Sequence, residues 1–433
     1  MRILFFFCDM LRPDKVEGGQ VYDIFKRLGG TWYTKAYTPT PETPRAMAAF
    51  YTGLYPAKNG CLKRGMWPYY YQNLELENIF SLLAEQGYKN YYYASPYSFS
   101  PKEGIVPKGF DQYAELVFDY KTLVEKAFAD KSENLCVYAG FDDYHDAVDI
   151  YSCGSVVSQD EADGVGQKHL KTCMEQLLDA AGTGFFDKII IFSDHGCMLK
   201  GDGVKKSDKL AYVAPIRTGI TLFLHSKGDS KVEKVPQTVS LLDIFPTVAQ
   251  WVGKSVECDG IPLQDTGTKR TLVVEDIYHY RGVDRFIYST YDLWAYISDE
   301  FYYIETIEGN QRLYKCIDSA WCEVPVGQYS TEIEGFRAEI GAKSCFYTQN
   351  TSGYKMIAAK EKAVGNELQF KTDAQFGPKY GSNGRRIRYT DGSGFAKTPS
   401  MRMHRKLADI GYQWSHLCSA LKTEFKELFR LFK

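Results

Sequence analysis

The sequence predicts a doubly wound α/β fold: a mostly parallel central sheet flanked by helices, followed by a small antiparallel sheet and an amphipathic helix. Three observations carry that expectation. Short apolar runs lack the alternation of half-exposed strands, helical patterns lie between them, and each run ends in carboxylates. The runs are "ILFFFCD" (Ile3 to Asp9), "LCVYAGFDDYH" (Leu135 to His145) and "KIIIFSDHG" (Lys188 to Gly196). A run with no polar face is buried on both sides, as a central parallel strand is. Of the helical patterns, "NIFSLLAEQGY" (Asn78 to Tyr88) stops at a glycine. "QKHLKTCMEQLLDAAG" (Gln167 to Gly182) sets Leu170, Cys173, Leu177 and Leu178 on one face and His169 on the polar one. Ligands of such sheets bind beyond the carboxyl ends of the strands, where this chain concentrates acids and histidines.

From about Thr268 the character changes. "TLVVEDIYHY", "RFIYSTYDLWAYIS" and "EFYYIETIEGNQRLYKC" read as an antiparallel sheet reaching about Val326. The division expected is a catalytic unit over 1–267, the small sheet over 268–326 and an extension over 327–433. Within the extension, "TDAQFGPKYGSNGRRIRYTDGSGFAKTPS" has linker composition. The segment from His404 to Lys433 then spaces Leu407, Ile410, Trp414, Leu417, Leu421, Phe425 and Leu428 by threes and fours, with Gly411 as an interruption. Two readings of this basic helix stand side by side. It docks on its own domain or a second subunit, or it lies peripherally on an anionic membrane surface.

Composition removes several classes. A formal net charge of −2 offers no basic field for nucleic acid. Eleven scattered cysteines without a CxxC pair fit reduced thiols and a cytoplasmic location, at most peripheral to the inner membrane face. The opening "MRILFFFCDM" ends in Asp9 rather than a small-residue cleavage site, so it reads as a first strand and not a leader. A lone Gly-x-Gly in "DGVGQKH" follows no expected strand and is no nucleotide fingerprint.

The residues with chemical promise lie at the strand ends and in "TPTPETPRAMAAFYTGLYP" (Thr38 to Pro56). Pro44 suits a first helical position, which makes Thr43 the N-cap, its hydroxyl among unpaired amides that attract anions. Capping alone would also explain that threonine. Asp194 and His195 in "SDHG" form a compact oxygen-and-nitrogen pair for a divalent metal, with Asp9 a third ligand at the same sheet edge.

Taken in order, "ILFFFCDMLRPD", "TPRAMAAFYTGLYP", "IIIFSDHGCMLKGDG", "IRTGITLFLHSKG" and "VSLLDIFPTVAQWVG" resemble the sulfatase-like branch of the alkaline phosphatase superfamily. "YYIETIEGNQRLYKC" is similar to that branch's C-terminal hairpin, so the resemblance covers about residues 1–325. It implies that the nucleophile is Thr43, nine residues before Thr52 of the Thr-Gly turn. The cysteine or serine that sulfatases convert to formylglycine, and their CxPSR pattern, are absent. Thr43 instead resembles the threonine nucleophile of nucleotide pyrophosphatase/phosphodiesterases and of phosphoglycerol transferases.

The resemblance further implies one metal held by Asp9, Thr43, Asp194 and His195. Arg45 is a candidate for a non-bridging oxygen, though the family's arginine stands four residues past the nucleophile rather than two. Lys205, Lys206 and Lys209 follow the DHG motif, as anion-contacting lysines do, with Lys206 the choice among them. His145 is placed near the leaving group as general acid or substrate contact. Asp143 and Asp149 remain candidates for a second ion, and His279 an outside one. Because Met10 follows Asp9, the paired N-terminal aspartates of sulfatases are broken, which favours zinc or manganese over calcium or magnesium. The function implied is a metal-dependent phosphodiesterase or phosphotransferase. Its substrate would be a phosphorylated glycan or a nucleotide-linked or glycerophosphoryl precursor in surface polysaccharide assembly. The alternatives are a phosphate monoesterase or mutase of the same superfamily, and a catalytically degenerate domain that binds a glycan or partner.

Overall fold

A computed structural model describes residues 1–59, 76–94, 112–115, 127–141, 143–148, 159–204, 208–265, 267–276, 292–344 and 347. Eight strands build the main sheet: β1 (Arg2–Cys8), β2 (Gly30–Tyr37), β3 (Lys89–Ala94), β4 (Gln112–Glu115), β5 (Leu135–Phe141), β6 (Lys188–Phe192), β7 (Leu222–Ser226) and β8 (Val232–Ser240). Their order is β4-β3-β5-β1-β6-β7-β2-β8. Only β7 runs antiparallel to its neighbours, β6 and β2. The three apolar runs of the sequence are β5, β1 and β6, side by side at the centre of the sheet.

Both faces of β1 are buried, as its unbroken apolar run requires. Ile3, Phe5 and Phe7 face Met47, Phe50, Phe80 and Phe245, on the helices Thr43–Thr52, Ile79–Glu85 and Ile244–Trp251. Leu4, Phe6 and Cys8 face Phe25, Leu170, Cys173 and Leu177, on the helices Tyr22–Leu28 and Gln159–Ala181. Burying each such side chain contributes about 1.5–3 kcal/mol, so this packing holds the centre of the sheet firmly in place. The helix expected from Gln167 begins earlier, at Gln159. His169 is buried rather than on a polar face, with Nε2 3.6 Å from Cys173 Sγ one turn on.

The second sheet is antiparallel throughout, in the order β13-β12-β11-β10-β9. Its strands are β9 (Leu272–Asp276), β10 (Leu293–Ile297), β11 (Phe301–Thr306), β12 (Gln311–Ile317) and β13 (Ala320–Val324). One face packs Trp294, Tyr303 and Leu313 against Ala49, Tyr55 and Leu242 of the main body and against Ile333, Phe336 and Ile340. Those last three lie on a helix, Ser330–Lys343, that no sequence expectation named. The other face packs Tyr302 and Ile304 against Tyr37, Val213 and Ala214. The second sheet is thereby wedged into the body, and Glu275 N–H donates to the Pro39 carbonyl (3.0 Å), inside the Thr-Pro loop.

The linker composition and the amphipathic helix from His404 lie outside the described residues. Among the described residues no helix is long and apolar enough to cross a membrane. The described cysteines, Cys8, Cys136, Cys173, Cys197, Cys258, Cys316 and Cys322, are free thiols.

Candidate active site

Asp9 and Asp194 meet because β1 and β6 are parallel neighbours in register. Phe7 pairs with Phe192, and each aspartate stands two residues beyond its partner of that pair. Ligand atoms of Asp9, Asp194 and His195 lie within 4.8 Å of one another, and all three residues are buried. Met10, next along, holds a left-handed backbone (φ 64°), a conformation that costs a non-glycine residue about 1–3 kcal/mol and clusters at functional sites. In that conformation its N–H donates to Asp194 Oδ1 at 3.1 Å.

The environment of His195 settles its protonation. Nδ1 lies 2.8 Å from the Gly196 carbonyl oxygen, which only accepts, so Nδ1 carries the proton and Nε2 a lone pair. Burial drives the imidazole pKa down to about 3, with the charges of Arg217 and His145 adding to the effect against Asp194 and the Gly196 carbonyl. At neutral pH that lone pair stands 3.2 Å from Asp194 Oδ2, itself buried and accepting no hydrogen bond among the described residues. Two lone-pair atoms facing each other in a dry site repel unless a cation lies between them. Two carboxylates and an imidazole are a fitting donor set for a divalent ion.

Thr43 opens the helix Thr43–Thr52, which Gly53 ends in the left-handed conformation (φ 64°). The N-cap is the extended Glu42, so Thr43 is the first helical residue and not the cap expected from sequence. The reason is visible in its hydroxyl. Rather than accepting from helix amides, Oγ1 lies 3.2 Å from His195 Nε2, beside the carboxylates. The structure therefore brings Asp9, Thr43, Asp194 and His195 together, with the hydroxyl half-buried and at the positive end of a helix. His145 follows β5 on the short helix Asp143–Asp146, half-buried and within electrostatic reach of His195.

Arg45 is placed elsewhere. Its side chain is completely buried, Nε donating to Glu42 (2.9 Å) and Nη2 to Asp276 of β9 (2.8 Å). Two of its donors are thus committed to protein carboxylates. Lys209 opens the 3-10 turn Lys209–Val213 and is half-buried. Lys205, Lys206, Asp142, Asp149 and His279 lie outside the described residues, as does the side chain of Asp143.

Arg12 and Arg217, within "ILFFFCDMLRPD" and "IRTGITLFLHSKG", carry no local signal of a role in the sequence. Arg12 pairs with Asp14 (2.7 Å) and Asp202 (2.6 Å) and donates to the Cys197 carbonyl (3.1 Å), tying the β1 end to the stretch after the DHG motif. Arg217 donates from Nη1 to the Gly196 carbonyl (2.8 Å) and from Nη2 to the Pro41 carbonyl (3.1 Å).

No family model and no curated protein matches the sequence. Solved structures do match. A 2-O GAG sulfatase shares 15% identity at a TM-score of 0.60, over 87% of this chain and 95% of that one. The phosphonate monoester hydrolase of Silicibacter pomeroyi shares 12% at 0.55, over 78% and 94%. An alkaline phosphatase superfamily protein from Vibrio parahaemolyticus shares 13% at 0.52, over 86% and 88%. The chain has the sulfatase and alkaline phosphatase fold. At these identities the likeness establishes architecture, and the chemistry rests on the residues themselves.

Proposed function

We propose that the chain is a metal-dependent phosphoric-ester hydrolase or transferase, a phosphodiesterase or phosphotransferase with Thr43 as nucleophile. The observation that carries this is the 3.2 Å approach of Thr43 Oγ1 to His195 Nε2, at a helix N-terminus beside two buried carboxylates. Asp9, Asp194, His195 and Thr43 would hold one divalent ion, zinc or manganese. Such an ion would lower the hydroxyl's pKa and offset negative charge on the ester. The residues do the rest. Gly196 fixes the His195 tautomer, so Nε2 is free of its proton, and Met10 N–H orients Asp194. The helix presents Thr43 toward an anionic group. His145, near the site on the short helix that follows β5, is suited to protonate a leaving oxygen.

Two of the structural neighbours are a GAG sulfatase and a phosphonate monoester hydrolase; both favour ester hydrolysis, and the first favours a glycan substrate. Threonine cannot become formylglycine, which turns the reading from sulfate toward phosphate. A phosphorylated glycan, or a nucleotide-linked or glycerophosphoryl precursor in surface polysaccharide assembly, is the proposed substrate class. The test is hydrolysis of bis-(p-nitrophenyl) phosphate with zinc or manganese, with the monoester and sulfate ester in parallel. Diester turnover above the other two supports this reading. Monoester preference would move it to a phosphatase or mutase, and loss of all three to a binding role.

A further inference from the structure

We propose that Arg217 is the positioning residue of this site: its guanidinium clamps the loop carrying Thr43 to the peptide that orients His195. The inference rests on the reading of Thr43 and His195 just given.

Arg217 stands on the short turn Pro215–Thr218, between β6 and β7. That turn is itself anchored: Tyr302 of β11 donates its hydroxyl to the Val213 carbonyl (2.5 Å) and lies 2.5 Å from Thr218 Oγ1. Thr218 in turn accepts from Thr38 N–H (2.9 Å), at the start of the Thr-Pro loop. From this fixed base the guanidinium fork reaches two segments. Nη1 donates to the Gly196 carbonyl, the same oxygen that accepts from His195 Nδ1, both at 2.8 Å. Nη2 donates to the Pro41 carbonyl at 3.1 Å, two residues before the nucleophile.

The backbone completes the clamp. Gly196 N–H donates to the Arg217 carbonyl at 2.9 Å, so the two residues grip each other from both sides. The approach is close enough that a side chain at 196 would be driven into the Ile216 carbonyl, with Gly219 O only 3.1 Å away. One planar cation therefore bridges the carbonyl that sets the His195 ring and the loop that sets Thr43 Oγ1. Lysine, a point donor on a flexible stem, cannot reproduce a fork that spans both.

The test uses the full chain and the variants Arg217→Gln and Arg217→Lys, with Thr43→Ala alongside. Three quantities are read: amide exchange of the peptide over 40–49, zinc or manganese affinity by calorimetry, and kcat and KM for the diester. In Arg217→Gln, exchange at Ala46, whose N–H donates to the Glu42 carbonyl (2.9 Å) in the first turn of the helix, is expected to quicken about tenfold while the β1 and β6 peptides keep their protection. Metal affinity is expected to weaken about 10–100-fold, as when an outer partner of a ligand is removed. A misplaced nucleophile is expected to lower kcat about 100-fold with little change in KM. Arg217→Lys is expected to recover only part of each change, and it carries the test should Arg217→Gln lose its fold.

Unchanged exchange and metal affinity would overturn the clamp, whatever the activity. So would an undiminished kcat in an active enzyme. If Thr43→Ala retains full turnover, the nucleophile assignment falls by itself, and exchange and metal affinity alone decide the role of Arg217.

Discussion

Gly196 is where the chemistry of this site depends most visibly on a missing atom. Its backbone lies against Ile216 and Gly219, with Arg12 Cγ 3.2 Å from where a Cβ would stand. Gly196→Ala is expected to force the two loops apart, costing about 1–3 kcal/mol of stability and most of the turnover. Urea midpoints and kcat together check this, and a variant with wild-type values in both would refute the tight approach. His195 makes a second prediction. In the metal-free chain the unfolded imidazole takes up a proton near its ordinary 6.5, whereas the folded one resists down to about 3. Between those values the unfolded state binds the extra proton. Stability therefore falls as pH drops through that window, by up to about 1.4 kcal/mol per pH unit from this residue, and is unaffected above it. His195→Gln is expected to flatten the pH dependence of denaturant midpoints below 6.5, and an unaltered slope would refute it. The cluster of Asp9, Asp194 and His195 was legible in the sequence because strand ends and a DHG triplet are local signals. Arg45 and Arg217 were not, since their meaning lies in partners 231 and 176 residues away. Nothing near Arg45 foretells that Asp276 will meet it.

The helix Thr43–Thr52 joins the site to the rest of the molecule. Its first turn carries Thr43, and its third residue, Arg45, is locked between Glu42 and Asp276, all three buried. Removing one member of a buried ion pair strands the other's charge, so Arg45→Met is expected to cost about 3–5 kcal/mol. Pairing it with Asp276→Leu is expected to restore a large part. Chemical denaturation of the single and double variants gives the measurement, and equal destabilisation by both would contradict a direct ion-pair role. Among the elements, β1, β5 and β6 were legible because burial on both faces leaves an unbroken apolar run. The helix Ser330–Lys343 went unread: only Ile333, Phe336 and Ile340 mark its buried stripe among charged neighbours, a pattern too sparse to stand out.

At the scale of the whole molecule, the two sheets share their cores. Trp294 and Tyr303 pack with Ala49 and Leu242, and Tyr302 and Ile304 with Tyr37 and Val213. Neither sheet can leave without exposing the other, so unfolding is expected to be one cooperative transition. Variants keeping only Trp32, in the main sheet, or only Trp294, in the second, should report the same urea midpoint; separated midpoints would show two independent units. The order of motifs made this fold legible in the sequence, and the neighbouring solved structures agree with it. The proposed function places the reaction on one hydroxyl, and one comparison tests it most directly: metal-dependent turnover of bis-(p-nitrophenyl) phosphate by the wild type and by Thr43→Ala. Turnover that requires the metal and falls at least about 1,000-fold in the variant is expected of a nucleophile. Turnover indifferent to the loss of the Thr43 hydroxyl would contradict it and leave that threonine a structural residue beside a metal site.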